Sequence, residues 1–174
     1  IEAACYAVQG ATLDSHAFSS DEEELRKALH ALMISKASVV MFDNIGKGRT
    51  VASDHIAKLI TSETSSDRTL GSSETRKESN TLLITFTGNN IAFVRDLTSR
   101  VIMVRLNAAQ ANPIGRTFRH PDLRHWVTAN RNNVLSALIA IAKVADGALP
   151  VGGLATRFDD YDRMIVKPIL QVTG

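Results

Sequence analysis

The 174-residue sequence holds one cysteine, four prolines and few aromatics, with Phe, Trp and Tyr together at 5%. A single cysteine, Cys5, excludes an internal disulfide and fits a reducing cytoplasm; a small apolar role suits it better than that of a reactive thiol. Long apolar runs are missing too. Runs such as Val39-Val40-Met41-Phe42 are far too short to cross a bilayer. No charged-then-apolar leader with a small-residue cleavage site opens the chain, so nothing points to secretion. The five histidines do not fall at metal-ligand spacing, and His120 and His125 stand at i, i+5 across Pro121, which argues against a structural zinc. There is no Gly-x-Ser-x-Gly element and no base beside Cys5, which leaves acyl transfer without support. A strong charge of one sign is absent as well. The net charge is +2 and the pI about 8.9, mildly basic and well short of a dedicated nucleic-acid binder.

What is present is the balance of a globular protein, 44% hydrophobic and 22% charged, long enough for one domain or a little more. Residues 1–9 carry apolar side chains at helical spacing and stop at Gly10. Ile1, not methionine, opens the chain inside this helix, so the sequence reads as a segment of something longer. Ser20 followed by acids at 21–24 starts a second helix, with Leu25, Leu29, Leu32 and Met33 on one face. Ala37 to Phe42 is a continuous apolar run, the mark of a strand covered on both faces. The glycine-rich, basic loop Gly46-Lys47-Gly48-Arg49 leads to a third helix carrying His55, Ile56, Leu59 and Ile60. Thr81 to Thr87 is a second buried-strand run, and Arg100 to Leu106 a third. Helix, buried strand, helix, buried strand is the rhythm of a parallel α/β sheet with crossover helices. From Pro113 onward the pattern is helical: an amphipathic stretch at 122–145, a break at 147–153, and a last helix at 158–172. The division expected is an α/β core at 1–110 and an all-helical region at 111–174.

Four constellations bear on chemistry. Asp43 closes the first strand run, and an acid at the carboxyl end of a parallel strand faces the crevice where such sheets bind ligands. In P-loop ATPases that position holds the magnesium ion bridging the nucleotide phosphates. The alternative is a turn-forming Asp43-Asn44 pair. Where most such ATPases place a glutamate to activate water, this chain has Asn44, and Glu63 is the nearest substitute along the sequence. Thr87-Gly88-Asn89-Asn90 closes the next strand; an asparagine there can position an attacking water, while an αL-tolerant turn is the alternative. Arg100, at the end of Asp96-Leu97-Thr98-Ser99-Arg100, can reach into a neighbouring subunit's nucleotide site or pair with Asp96, with Arg95 and Arg105 as competitors. The basic stretch from Arg68 through Arg76 and Lys77 suits a β-hairpin tracking a nucleic-acid backbone, or else a solvated loop balanced by Asp67, Glu74 and Glu78.

The strings S-V-V-M-F-D-N-I, S-D-R-T-L-G-S-S-E, T-G-N-N, D-L-T-S-R and V-R-L, followed by P-I-G-R-T-F-R-H-P-D-L-R-H-W-V, together resemble the AAA+ helicase-like domains of phages and mobile elements. These follow primase modules and are more distantly similar to superfamily-3 and MCM helicases. The resemblance runs from about residue 1 to 172. It implies a three-layer αβα AAA+ core, incomplete at its N-terminus, followed by a lid-like helical region. It makes Asp43 the Walker B magnesium ligand, Asn89 (or Asn90) sensor 1 and Arg100 the arginine finger. Asp43, Asn44, Asn89 and Asn90 would then line the ATP–magnesium site. Arg68, Arg76 and Lys77 would fall on the hairpin that faces single-stranded DNA, and Arg116 and Arg119 at the entrance to the lid. The partners implied are DNA and further copies in a ring, a hexamer, and the setting is replication in the cytoplasm. One departure is large. No Gly-x-x-x-x-Gly-Lys-Ser/Thr loop is present, nor the strand before it, and without that cradle the alternative is a degenerate module that binds DNA or replication partners and hydrolyses nothing. A sheet without its central strand also exposes interior edges.

Overall fold

Acids placed ahead of an apolar stripe start the first long helix of the sheet-bearing part. Asp21 is its N-cap, with Oδ1 accepting from the amides of Glu23 and Glu24, so helix α2 (Glu22–Ile34) begins one residue later than the Ser20 signal suggests. The computed structural model describes residues 1–68, 75–106, 117–144 and 161–173. The chain divides into two compact units, Leu13–Arg105 and Ile1–Thr12 with Leu106–Gly174. The boundary therefore falls a few residues before the expected one, and helix α1 (Glu2–Gln9) groups with the helical part.

In the unit Leu13–Arg105 the elements run β1 (Ser15–His16), α2 (Glu22–Ile34), β2 (Val39–Ile45), β3 (Thr50–Val51), α3 (Asp54–Leu59), β4 (Thr64–Arg68), β5 (Thr75–Ser79), β6 (Leu83–Gly88) and β7 (Ala92–Phe93). A 3-10 helix, Arg95–Ser99, follows. The two apolar runs that read as buried strands pair directly. Strands β1, β2 and β6 form a parallel sheet in that order, with Met41 opposite Thr85 and Phe42 opposite Phe86. The class is α/β. Two smaller pairs accompany this sheet, β3 parallel to β7 and the antiparallel hairpin β4–β5.

The core of this unit lies between the sheet and helices α2 and α3. Leu25, Leu29 and Met33 come from α2, Val40, Phe42 and Ile45 from β2, and Ile56, Ala57 and Leu59 from α3. Phe18, Phe42, Phe86 and Phe93 gather in one aromatic cluster, with Phe42 and Phe86 stacked at 5.4 Å and the other contacts edge-on at 5.3 to 6.0 Å. Ser53 caps α3, and Glu22 accepts from both the Ser53 hydroxyl and the His55 amide, which ties the starts of α2 and α3 together.

The strand expected at 100–106 does not form. Residues 101–106 join no ladder, and Val104 and Leu106 are 75% and 93% exposed. An apolar run becomes a strand only where a neighbour supplies hydrogen bonds and a face to bury, and among the described residues none does so here.

In the other unit, α1 ends at Gly10, whose left-handed φ of 73° lets its amide return to the Tyr6 carbonyl. It packs along α4 (Leu123–Val144), where Arg131 donates to the Val8 carbonyl at 3.0 Å and the Arg124 guanidinium lies over the Tyr6 ring. A π-helical turn, Asp162–Val166, runs into helix α5 (Lys167–Thr173), despite Pro168. The break expected at 147–153 lies outside the described residues.

Candidate functional site

The carboxyl ends of β2 and β6 meet at a β-bulge. Phe42 pairs with Phe86 and Ile45 with Gly88, so Asp43 and Asn44 together stand opposite the single residue Thr87. The extra residue is taken up by Asn44, whose φ of 53° lies in the left-handed region that asparagine tolerates. Thr87 fills the gap. Its hydroxyl donates to Asp43 Oδ1 and accepts from the Asn44 amide at 3.1 Å. Gly88 permits the approach, because a Cβ there would stand 2.5 Å from the Ile45 carbonyl oxygen.

The loops leaving both strands stay together. The Gly48 amide donates to the Asn89 carbonyl, and the Ala92 amide to the Arg49 carbonyl, where β3 begins to pair with β7. Asp43, Asn44, Asn89 and Asn90 are all exposed at this end of the sheet. Asn90 has a φ of 54°, so it serves as the left-handed turn residue; the Asn89 side chain has no hydrogen-bond partner among the described residues. Glu63 sits just before β4, its carbonyl held by the Asn80 amide, and no hydrogen bond joins it to the strand ends.

Arg100 stands elsewhere. Its guanidinium donates to the Ala57 carbonyl at 2.6 Å, to Thr61 Oγ1 at 3.2 Å and to Asp96 Oδ2 at 3.2 Å, so it clasps the last turn of α3. It lines an open cleft of about 330 Å³ with Asp54, Lys58, Thr61 and Asp96, away from the strand ends. Arg95 is more exposed, holds a left-handed φ of 56° and reaches Asp54 at 3.4 Å. Arg105 belongs to the unpaired segment.

Strands β4 and β5 make the hairpin that the basic stretch suggested, with Ser66 opposite Lys77, Asp67 opposite Arg76 and Arg68 opposite Thr75. Register sorts its charges. Thr64, Ser66, Arg68, Thr75, Lys77 and Ser79 share one face, all of them exposed. The other face carries Asp67, Arg76 and Glu78 against α2: Arg26 pairs with Asp67, while Lys36 and Arg76 both reach Glu78 at 2.5 Å. The Lys36 ammonium, with Arg76 beside it, holds the Glu78 carboxyl below its usual range. Burial would raise the Asp67 carboxyl, but the Arg68 amide and the Arg26 guanidinium outweigh it and hold that group below its usual value too. Residues 69–74, which join the strands, and Arg116 of the expected lid entrance lie outside the described residues; Arg119 is exposed.

Compared with protein-family models, with curated proteins and with solved structures, the chain matches none. What the geometry shows is proximity. It brings Asp43 and Asn44 together with Thr87, ties the Asn89 carbonyl to the Gly48 amide, and sets Arg100 and the hairpin apart from them. Sequence reading passed over Thr87 as a side chain with a task. Its signal was faint: a hydroxyl one residue before a glycine at a strand end.

A single carboxylate in such a place suits a cation held jointly with phosphates. Among the described residues no group of three or more His, Cys, Asp or Glu could hold a metal by itself. Magnesium needs no such group, since it takes one or two carboxylates and keeps waters and phosphate oxygens for the rest. Asp43, exposed and with one oxygen engaged by Thr87, fits that demand.

Proposed function

We propose that this chain carries the hydrolysis side of an ATP-driven, nucleic-acid-translocating motor, of the AAA+ helicase type that its motifs resemble. The observation that carries the reading is the meeting of Asp43 with the Thr87–Asn90 turn at the carboxyl ends of two adjacent parallel strands. Asp43 would hold magnesium, which when bound bridges the nucleotide phosphates and neutralises their charge. Asn89, whose side chain has no hydrogen-bond partner among the described residues, would orient the attacking water. The exposed hydroxyl-and-cation face of the β4–β5 hairpin is suited to a sugar–phosphate backbone. The phosphate cradle itself is not among these 174 residues and would come from another segment.

Hydrolysis of ATP by the intact protein, with and without single-stranded DNA, is the test. DNA should stimulate hydrolysis, and Asp43→Ala should abolish it. Turnover that survives the substitution removes Asp43 from the site. One observation favours a second reading, a module that binds DNA or replication partners without hydrolysis. Asn44 stands where a catalytic glutamate is usual, and an amide accepts no proton at neutral pH. DNA binding without turnover decides for it.

A further inference from the structure

Thr87 has no assigned part in this site, yet its hydroxyl bonds both residues of the bulge, the Asp43 carboxylate and the Asn44 amide. A hydroxyl offers one proton and two lone pairs. The Asn44 amide already points at one lone pair, at 3.1 Å, which turns the proton toward Asp43 Oδ1. Asp43 Oδ1 is thereby committed, while Oδ2 has no hydrogen-bond partner among the described residues. The bulge that makes this possible is held from outside: Gly88 lets β6 close on the Ile45 carbonyl, and Phe42 and Ile45 anchor both sides of it in the core. Bulges of this kind are rare between parallel strands and re-aim side chains next to functional sites.

We infer that Thr87 is a positioning residue for a divalent cation: it fixes the Asp43 carboxylate by one oxygen and leaves the other facing a magnesium–nucleotide complex. The inference rests on the proposed reading of Asp43. Thr87 touches neither metal nor nucleotide. Its role is that of the outer hydrogen bonds that orient a metal-binding carboxylate, whose loss typically costs about 10- to 100-fold in metal affinity.

The test uses manganese as a paramagnetic stand-in, titrated into the intact protein in the presence of ADP and read by electron paramagnetic resonance. Thr87→Val keeps the shape and removes the hydroxyl; Thr87→Ala does the same with less bulk; Thr87→Ser restores the hydroxyl. Val and Ala should weaken manganese binding by about 10- to 100-fold, as for other outer-sphere partners. Ser should bind as the parent does, and ADP affinity without metal should be unchanged in all three. Amide exchange at Asn44, measured with no metal present, should quicken in Val and Ala but not in Ser. Should Val fail to fold, the comparison of Ala with Ser decides. Parental affinity in Val or Ala overturns the inference, as does a Ser variant as weak as Val. Asp43→Asn separates the two layers. If it leaves manganese binding intact, the reading of Asp43 fails. If it abolishes binding while Thr87→Val does not weaken it, the role of Thr87 alone fails.

Discussion

Gly88 and Gly46 look interchangeable in the sequence, since each comes soon after an apolar run and directly before a polar residue. Space separates them. A methyl group at Gly88 would lie 2.5 Å from the Ile45 carbonyl oxygen and 2.9 Å from Ile91 Cδ1, whereas one at Gly46 meets nothing within 4 Å. The first contact is with backbone and cannot be relieved by turning a side chain. Gly88→Ala should therefore destabilise the protein by about 1–3 kcal/mol, the usual range for overpacking. Gly46→Ala should stay within about 0.5 kcal/mol, as surface changes do. Urea denaturation of both variants checks this, and equal midpoints would show that the strands are not pressed together at Gly88. The same through-space logic explains why Asp43 was legible as a candidate site residue and Thr87 was not. An acid after an apolar run announces itself, but the partner of a bulge lies more than forty residues away in the chain and shows only once the strands are paired. Arg100 teaches the converse. Its candidacy as an arginine finger came from position, and its hydrogen bond to the Ala57 carbonyl depends on α3 ending where it does.

The β4–β5 hairpin shows what an element adds to a list of charges. Read linearly, Asp67, Glu74 and Glu78 dilute Arg68, Arg76 and Lys77 until a solvated loop is the natural reading. Period-two alternation undoes the dilution for the described residues, since Asp67 and Glu78 turn inward to Arg26, Lys36 and Arg76. Among the described residues, the outer face keeps Arg68 and Lys77 with no acid on it. If this face meets nucleic acid, Arg68→Ala with Lys77→Ala should weaken binding of single-stranded DNA and flatten its salt dependence by up to about 1.4 in log–log slope, near 0.7 for each phosphate no longer neutralised. Arg76→Ala should leave DNA affinity nearly unchanged and instead loosen the hairpin. Fluorescence anisotropy at several salt concentrations distinguishes them, and a reversed ranking would place the DNA-binding side chains on the inner face. Strand β2 was legible because a run of apolar residues without alternation is itself the signature of burial; β6 forms where the second run predicts a strand but is only half-buried, with Leu83 60% exposed. The segment 101–106 carries the same signature and forms no strand, because a run encodes its appetite for a partner and not the partner.

At the scale of the whole molecule, the described groups that shift at or below neutrality pull in one direction. Burial holds His55 below its usual range, and ion pairs hold Glu23, Asp67 and Glu78 below theirs. Each of these groups binds protons more readily in the unfolded chain than in the folded one. Their contribution is complete above the unfolded values, about 6.5 for the histidine and about 4 for the carboxyls, and it is lost as the pH falls through the lower folded ones. The urea midpoint should thus be level above neutrality, dip first as His55 is forced to charge, and fall further through the acid range. Glu78→Gln should shrink the acid part of the fall without altering the first dip. A midpoint that rises between pH 7 and pH 4 would contradict the sign for all of these groups.

The bulge in β2 has a consequence for how that strand is counted. Strict alternation from Phe42 would send Asn44 into the core and Ile45 to the surface; the reverse is found, with Ile45 buried and Asn44 exposed. Phe42 and Ile45 both lie in the core because they face Phe86 and Gly88, which are two apart, although they are themselves three apart. In effect the core reads the strand with one letter skipped. That silent letter lets a polar Asp-Asn pair interrupt the strand without forfeiting an inward-facing position, so the site is inserted between two beats of the packing.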